Sequence, residues 1–255
     1  MSTEPFLFVL AYAGWGLVVG LMVGLTAIGT ALLGTPGLIV LFGMPPVTAV
    51  GTMAVAGFAM MTAGTAQHRR QGTVVLWIGL PFSVLAVPAA YMTARYATAI
   101  NAVVPLTTVL GIVIIISVAV LFHRYVIVRP EPRILELPAW KRRIAPFLGL
   151  LLGALTGATS ISGSLIVIVF IMLLKLPSPH AVGTTAFVAA VSLLPASIGH
   201  ISQGTVNWIG VIGLLPGVLA GSMLGARYVN HLPRQALRMV ILVVLLAAAV
   251  MVMIN

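Results

Sequence analysis

The chain has 255 residues, of which 61% are apolar and only 6% are charged, and its mean hydropathy is +1.20. A soluble domain carries about 25% charged residues, so the composition excludes an ordinary soluble domain and predicts an all-α polytopic membrane protein. The net charge is +10, but the basic residues lie in short connections between apolar runs. We therefore expect them to set membrane topology and not to bind nucleic acid.

The first predicted element is a broken helix, with an apolar run near 6–28 and a short helix near 30–43. The N-terminus lacks the basic flank of a signal peptide, so we expect the first helix to be retained. Glycine recurs at every fourth position of the run, at Gly16, Gly20 and Gly24. The interruption that follows holds the small residues Thr26, Gly29 and Thr30. Such a break inside apolar sequence is tolerated where it is buried in protein or lines a wet cavity.

Three spans are predicted to follow in the first half, at about 46–67, 73–94 and 102–123. Each is near the ~20 residues that cross a bilayer. A basic segment then links the halves and is read as a solvated linker, with binding to anionic lipid headgroups as the alternative. The tryptophans near predicted span ends are expected to be interfacial anchors: Trp15, Trp77, Trp140 and Trp208.

The second half repeats this plan. A broken element over 144–175 carries a glycine ladder at Gly149, Gly153 and Gly157. Its break holds Thr159, Ser160, Ser162, Gly163 and Ser164. Spans follow at about 178–201, 205–227 and 234–254. We divide the chain into a first membrane repeat (1–121), a basic cytoplasmic linker (122–143) and a second membrane repeat (144–255).

The repetition is visible as identities at a constant offset. Ala49-Val50-Gly51-Thr52 returns as Ala181-Val182-Gly183-Thr184, and Gln71-Gly72-Thr73-Val74 returns as Gln203-Gly204-Thr205-Val206. Both pairs lie 132 positions apart, whereas the glycine ladders lie 133 apart. One offset held over so many identities indicates an internal duplication.

The distribution of charge predicts how the repeats cross the membrane. If each broken element returns to the side it came from, each half crosses three times and the second half is inverted. Twelve of the 13 Lys and Arg residues then lie on the linker side and only Arg95 lies opposite. A single crossing by each broken element would leave eight of these basic residues on one side of the membrane and five on the other. The positive-inside rule favours two inverted repeats, each a re-entrant helix pair plus three transmembrane helices. It places both termini outside the cytoplasm, in a protein of the inner membrane.

The predicted spans contain no carboxylate, since the only acids are Glu4, Glu131 and Glu136. This argues against a cation pump or a carboxylate-driven antiporter. A half-helix that starts inside the membrane presents unpaired N–H groups and a positive dipole end, which suit an anion. The inverted arrangement lets the tips of the two breaks meet at the membrane midplane.

The candidate substrate-binding residues are those of the two breaks and of the repeated Ala-Val-Gly-Thr: Thr26, Gly29, Thr30, Thr52, Thr159, Ser160, Ser162, Gly163, Ser164 and Thr184. Two structural interpretations compete with this one. The glycine ladders are typical of close helix packing in lipid, and the hydroxyls are able to bond back to their own helix carbonyls. Thr52 and Thr184 fit cavity lining and packing equally well.

His68, Gln71, His200 and Gln203 are the candidates for gating or proton coupling, because histidine titrates near neutral pH. An interfacial histidine bonded to a loop is the alternative. Two histidines without cysteine or acidic neighbours do not predict a metal site. Since no catalytic triad or phosphate-binding loop is present, we predict no metal, no cofactor and no enzymatic activity.

The arrangement of these motifs resembles the TauE/SafE family of sulfite exporters, also called the TSUP family. A glycine ladder leads into a small polar break, and a proline turn precedes Ala-Val-Gly-Thr. A histidine, a Gln-Gly-Thr-Val turn and a tryptophan follow, and the set is duplicated over 14–254. The resemblance implies a transporter of sulfite, sulfonates and related anions. Many members carry a glycine cluster at the first break, where this chain has Gly29-Thr30-Ala31.

We therefore expect a secondary transporter, an exporter, of small sulfur-containing anions across the cytoplasmic membrane. Two alternatives are a passive anion channel and a non-transport scaffold whose basic linker docks a partner. The expected partners are the anionic substrate and membrane lipid, without nucleic acid. The sequence makes no prediction of oligomeric state.

Overall fold

A computed structural model describes residues 4–27, 30–123 and 139–228, together with the separate positions 231, 233, 239 and 243. The described residues form ten α-helices and one π-helix, Thr30–Gly34. The α-helices are α1 (Glu4–Thr26), α2 (Thr35–Phe42), α3 (Pro46–Arg70), α4 (Leu76–Arg95), α5 (Ala97–Val103), α6 (Leu106–Phe122), α7 (Ala139–Thr159), α8 (Ser164–Met172), α9 (Ser178–Ser202) and α10 (Trp208–Tyr228). Most of the predicted linker and of the span near 234–254 lies outside the described residues.

Among the described helices, five are long and apolar enough to cross a membrane: α1, α3, α4, α9 and α10. The predicted all-α membrane class is confirmed. The predicted spans match α3, α4, α9 and α10 to within three residues at each end. Trp77 and Trp208 stand exposed near the starts of α4 and α10, as an interfacial position requires. Trp15 is different, because it lies in the middle of α1 and its ring packs against Gly37 of α2.

The predicted span over 102–123 is wrong in its first residues. Residues 97–103 form the separate short helix α5, and α6 follows at an angle of 85°. Pro105 explains the break, because proline removes a backbone donor and disfavours helical geometry in the residue before it. Val104 is extended, and the Asn101 side chain accepts the Leu106 N–H at 2.9 Å.

The glycine ladders join each half of the chain to the other. Gly16, Gly20 and Gly24 of α1 lie so close to α10 that a Cβ on any of them would overlap a carbonyl oxygen there. Gly149, Gly153 and Gly157 of α7 pack on α4 in the same way. The packing interpretation of these glycines is therefore confirmed, and the close approach is the one expected of small residues in membrane helices.

The repeated Ala-Val-Gly-Thr forms a second pair of matched contacts. Gly51 packs against Thr205, and its counterpart Gly183 packs against Thr73. The threonines that follow these glycines in the sequence, Thr52 and Thr184, each hold the start of a helix in the other half. The Thr52 hydroxyl accepts the Asn207 N–H at 3.0 Å, and the Thr184 hydroxyl accepts the Val75 N–H at 2.9 Å. These contacts make α3 and α9 antiparallel neighbours at the centre of the bundle.

Both broken elements fold back on themselves. Phe42 of α2 stacks on Tyr12 of α1 with ring centroids 4.2 Å apart. Phe170 of α8 meets Phe82 edge-on at 5.4 Å, beside the point where α7 packs on α4. The returning helices α2 and α8 have 8 and 9 residues, far fewer than the ~20 of a full span.

The π-helix lies in the segment where the repeat offset changes. Between the glycine ladder and Ala-Val-Gly-Thr, the first half holds one residue more than the second, since the offset falls from 133 to 132. The extra residue lies in the segment that contains the π-helix Thr30–Gly34. A π-turn is the usual result of one residue inserted in an α-helix, and such turns are frequent at functional sites.

Candidate functional site

The helix before each break ends in the same strained geometry. Ala27 follows α1 with φ 54°, and Ser160 follows α7 with φ 55°. A residue with a side chain rarely adopts this left-handed conformation, which costs of order 1–3 kcal/mol and clusters at functional sites. The two positions are 133 residues apart, so both repeats reverse direction at equivalent points.

A buried histidine holds the last turn before each break. His200 Nε2 lies 3.0 Å from the Gly157 carbonyl, and its Nδ1 lies 3.0 Å from the Thr205 hydroxyl. Because a carbonyl only accepts, Nε2 carries the proton. The Thr205 hydroxyl also donates to the His200 backbone carbonyl at 3.1 Å. His68 repeats the arrangement, with Thr73 at 3.2 Å and a hydrogen bond to the Gly24 backbone. Both rings are buried in the protein, and each is bonded to a threonine of the loop that follows its helix. Gating or coupling by them stays a prediction.

Gln71 and Gln203 tie helix ends together. Gln71 Nε2 donates to the Ala226 and Arg227 carbonyls at 3.0 and 3.2 Å. Gln203 Oε1 accepts from the Thr98 hydroxyl at 3.5 Å. The end of α3 therefore lies beside the end of α10, while the end of α4 and the start of α5 lie beside the end of α9.

Four of the predicted hydroxyls have structural partners. Thr26 and Thr159 donate to the Met22 and Leu155 carbonyls of their own helices, each at 2.6 Å, which is the back-bonding expected of such residues. Thr52 and Thr184 hold the helix starts described above. Of the remaining first-break residues, Gly29 lies outside the described residues, and Thr30 begins the π-helix.

The second break meets the first repeat at a pair of buried hydroxyls. Ser160 Oγ lies 3.1 Å from the Thr35 hydroxyl, and both residues are fully buried. Thr35 is the first residue of α2, directly after the π-helix, and Met53 of α3 packs on the neighbouring Gly34. Thr35 was not among the predicted site residues. With the offset of 132 that holds after the π-helix, its repeat counterpart is the apolar Val167, so the duplication carried no signal for it.

The start of α8 lies in the same segment. Ser162 and Ser164 are buried, and Gly163 precedes the first turn. Ser164 Oγ is enclosed and has no hydrogen-bond partner among the described residues. The first N–H groups of a helix also lack intrahelical partners and carry a partial positive charge. The described residues contain no group of three or more His, Cys, Asp or Glu that could hold a metal ion.

Comparison with known proteins agrees with the resemblance seen in the motifs. The family model described as "Sulfite exporter TauE/SafE" matches residues 12–252. The chain belongs to the TauE/SafE family. It is a membrane transporter.

Two relatives of this TauE/SafE chain come from Bacillus subtilis (strain 168). The probable membrane transporter protein YdhB is 26% identical over 223 residues, which cover 87% of this chain and 90% of the relative. The probable membrane transporter protein YjnA is 32% identical over 228 residues, covering 84% of this chain and 89% of the relative. No solved structure matches the chain.

Proposed function

We propose that this TauE/SafE protein is a secondary transporter that exports small sulfur oxyanions or sulfonates across the cytoplasmic membrane. The observation that carries the proposal is the meeting of Ser160 and Thr35 in the buried interior, beside the start of α8 and the unpartnered hydroxyl of Ser164. The family description as a sulfite exporter supports the substrate class.

The chemistry of this region suits an anion. Oxyanions accept hydrogen bonds, and hydroxyls and helix N-termini supply donors without a buried cation. A carboxylate nearby would repel the substrate, and the acids Glu4, Glu131 and Glu136 all fall outside the predicted spans. An anion that fits between the second break and α2 would exchange hydroxyl contacts for stronger, charge-assisted ones.

The contacts between helix ends support the inverted arrangement that alternating access requires. If each broken element crossed the membrane once, the ends of α3 and α10 would lie at opposite faces. Gln71 joins them directly. The Thr98–Gln203 contact joins the ends of α4 and α9 in the same way. Two inverted repeats place both pairs on common faces, with the break regions as the site between them.

Specific binding is tested by a thermal-shift screen of the purified protein with sulfite, sulfate, thiosulfate, sulfoacetate and taurine. A ligand that binds only the folded state must raise the unfolding temperature. We expect a saturable increase with at least one of the sulfur oxyanions or sulfonates and none with chloride at equal ionic strength. The absence of any increase across the set would contradict the proposal.

A further inference from the structure

A cavity lies between α3, α9 and α4 and is lined by none of the break residues. This groove has a volume of about 690 Å³ and is open along one side. Its walls are mostly apolar and include Phe58, Val87, Phe187, Leu194 and Ile198. Apolar walls offer a small oxyanion no hydrogen-bond donors, so the groove is not part of the proposed substrate site.

The groove runs along the helix axes and is charged at one end. Phe58 and Arg69 line it from positions 11 residues apart on α3, which at about 1.5 Å per residue makes roughly 16 Å. That is about half of the ~30 Å hydrocarbon core, or the depth of one leaflet. Arg69 is exposed at the end of α3, on the side predicted to face the cytoplasm.

A polar atom without a partner lies one turn below the arginine. Thr62 donates to the Phe58 carbonyl of its own helix at 2.7 Å. Thr65 also lines the groove, but its buried hydroxyl has no hydrogen-bond partner among the described residues. Thr65 and Arg69 are four positions apart and therefore share one face of α3.

The opposite end of the groove lacks both features. The repeat counterpart of Arg69 is Ile201, and that of Thr65 is Ser197, whose hydroxyl donates to the Leu193 carbonyl at 2.7 Å. The chain also has only 3 acidic residues for 13 Lys and Arg, so most of its cations need a counter-charge from outside the protein.

We propose that the groove binds one acyl chain of an anionic phospholipid from the cytoplasmic leaflet. The headgroup phosphate contacts Arg69, and an ester carbonyl accepts a hydrogen bond from the Thr65 hydroxyl. The acyl chain runs along the apolar walls towards Phe58. The order of these groups follows that of a phospholipid, whose esters lie between phosphate and chain. Basic pockets between helices on the cytoplasmic side are suited to anionic headgroups. The bound lipid stabilises the contact between α3 and α9, independently of which anion is transported.

The test uses the full chain in phosphatidylcholine nanodiscs, with phosphatidylglycerol as the probe. Phosphatidylglycerol should raise the unfolding temperature, and the intact protein should retain one such lipid in mass spectrometry. Arg69→Gln should lose both effects. Arg70→Gln, which removes the neighbouring charge outside the groove, should keep them. Ala190→Phe, which fills the groove without changing charge, should also lose lipid retention.

Several outcomes would overturn the proposal. If phosphatidylglycerol raised the unfolding temperature of Arg69→Gln as much as that of the wild type, Arg69 would not contact the phosphate. Equal losses in Arg69→Gln and Arg70→Gln would indicate diffuse surface charge. An equal increase with soluble glycerol phosphate would show that no acyl chain is needed. Lipid retention by Ala190→Phe would show that the lipid binds outside the groove. A change in the oligomeric mass of that variant would indicate that a second copy of the chain occupies the groove instead.

Discussion

At the scale of single residues, a substitution at Ser164 should weaken anion binding without lowering the stability of the fold. Its buried hydroxyl has no partner among the described residues, so Ser164→Ala removes a desolvated polar group and should leave the unfolding temperature unchanged or raised. A lost hydrogen bond to a charged ligand is worth about 1.5–3 kcal/mol. The ligand concentration for a half-maximal thermal shift should therefore increase about tenfold or more.

The control for this variant is Ser197→Ala. Ser197 is also buried, but its hydroxyl donates to the Leu193 carbonyl, so the change should leave ligand binding intact. Equal half-maximal concentrations in the two variants would remove Ser164 from the site.

The site could be predicted only in part from these residues. The paired breaks identified Ser160 and Ser164, because small polar residues stand out in an apolar sequence. Thr35 was missed because it follows the first break by several positions, and the residues equivalent to α2 in the second repeat, 167–174, are all apolar. It contacts Ser160 from the position directly after the π-helix, and a repeat offset does not reveal how a chain accommodates one extra residue.

At the scale of elements, the glycine ladders should not tolerate side chains. Gly153→Val would force β-branched atoms into the Ala86 backbone, and overpacking of this kind costs about 1–3 kcal/mol. Gly64→Ala is the control, because a Cβ at buried Gly64 meets nothing within 4 Å. Thermal unfolding in detergent should show destabilisation of Gly153→Val alone. Equal unfolding temperatures would contradict the packing assigned to the ladder.

The π-helix should be needed for function and not for folding. Deletion of Ala31 makes the repeat offset 132 throughout and allows an ordinary α-helix. The start of α2 would then turn by about 100° relative to α1, which carries Thr35 away from Ser160. We expect a folded protein with little change in unfolding temperature and without ligand-induced stabilisation. Full retention of the ligand response would show that the insertion is incidental.

Element positions followed well from sequence where apolar runs were long and bounded by proline or glycine, as in α3 and α9. The exception is the segment around Pro105. There an apolar run continues through the proline, and only backbone geometry shows that the chain turns by 85°.

At the scale of the whole molecule, the account predicts an inverted topology. The chain has no cysteine, so single cysteines introduced into it report accessibility without background. Cysteines that replace the exposed residues Arg70 and Arg227 should react from the cytoplasm, and one that replaces Ser202 should react from outside. A membrane-impermeant maleimide added to intact cells distinguishes the faces. Labelling of Arg70→Cys and Arg227→Cys from opposite faces would contradict the arrangement.

The most direct test of the central claim is sulfite flux into proteoliposomes. Ser160→Ala reproduces the residue at the equivalent position of the first repeat, Ala27, and Thr35→Val keeps the side-chain shape, so both variants should fold. We predict saturable sulfite flux in the wild type and in Ser197→Ala, reduced at least tenfold in Ser160→Ala and Thr35→Val, if each hydroxyl contributes about 1.5 kcal/mol to the bound anion. Equal flux in all four proteins, or no flux in any, would contradict a sulfur-anion site at this break.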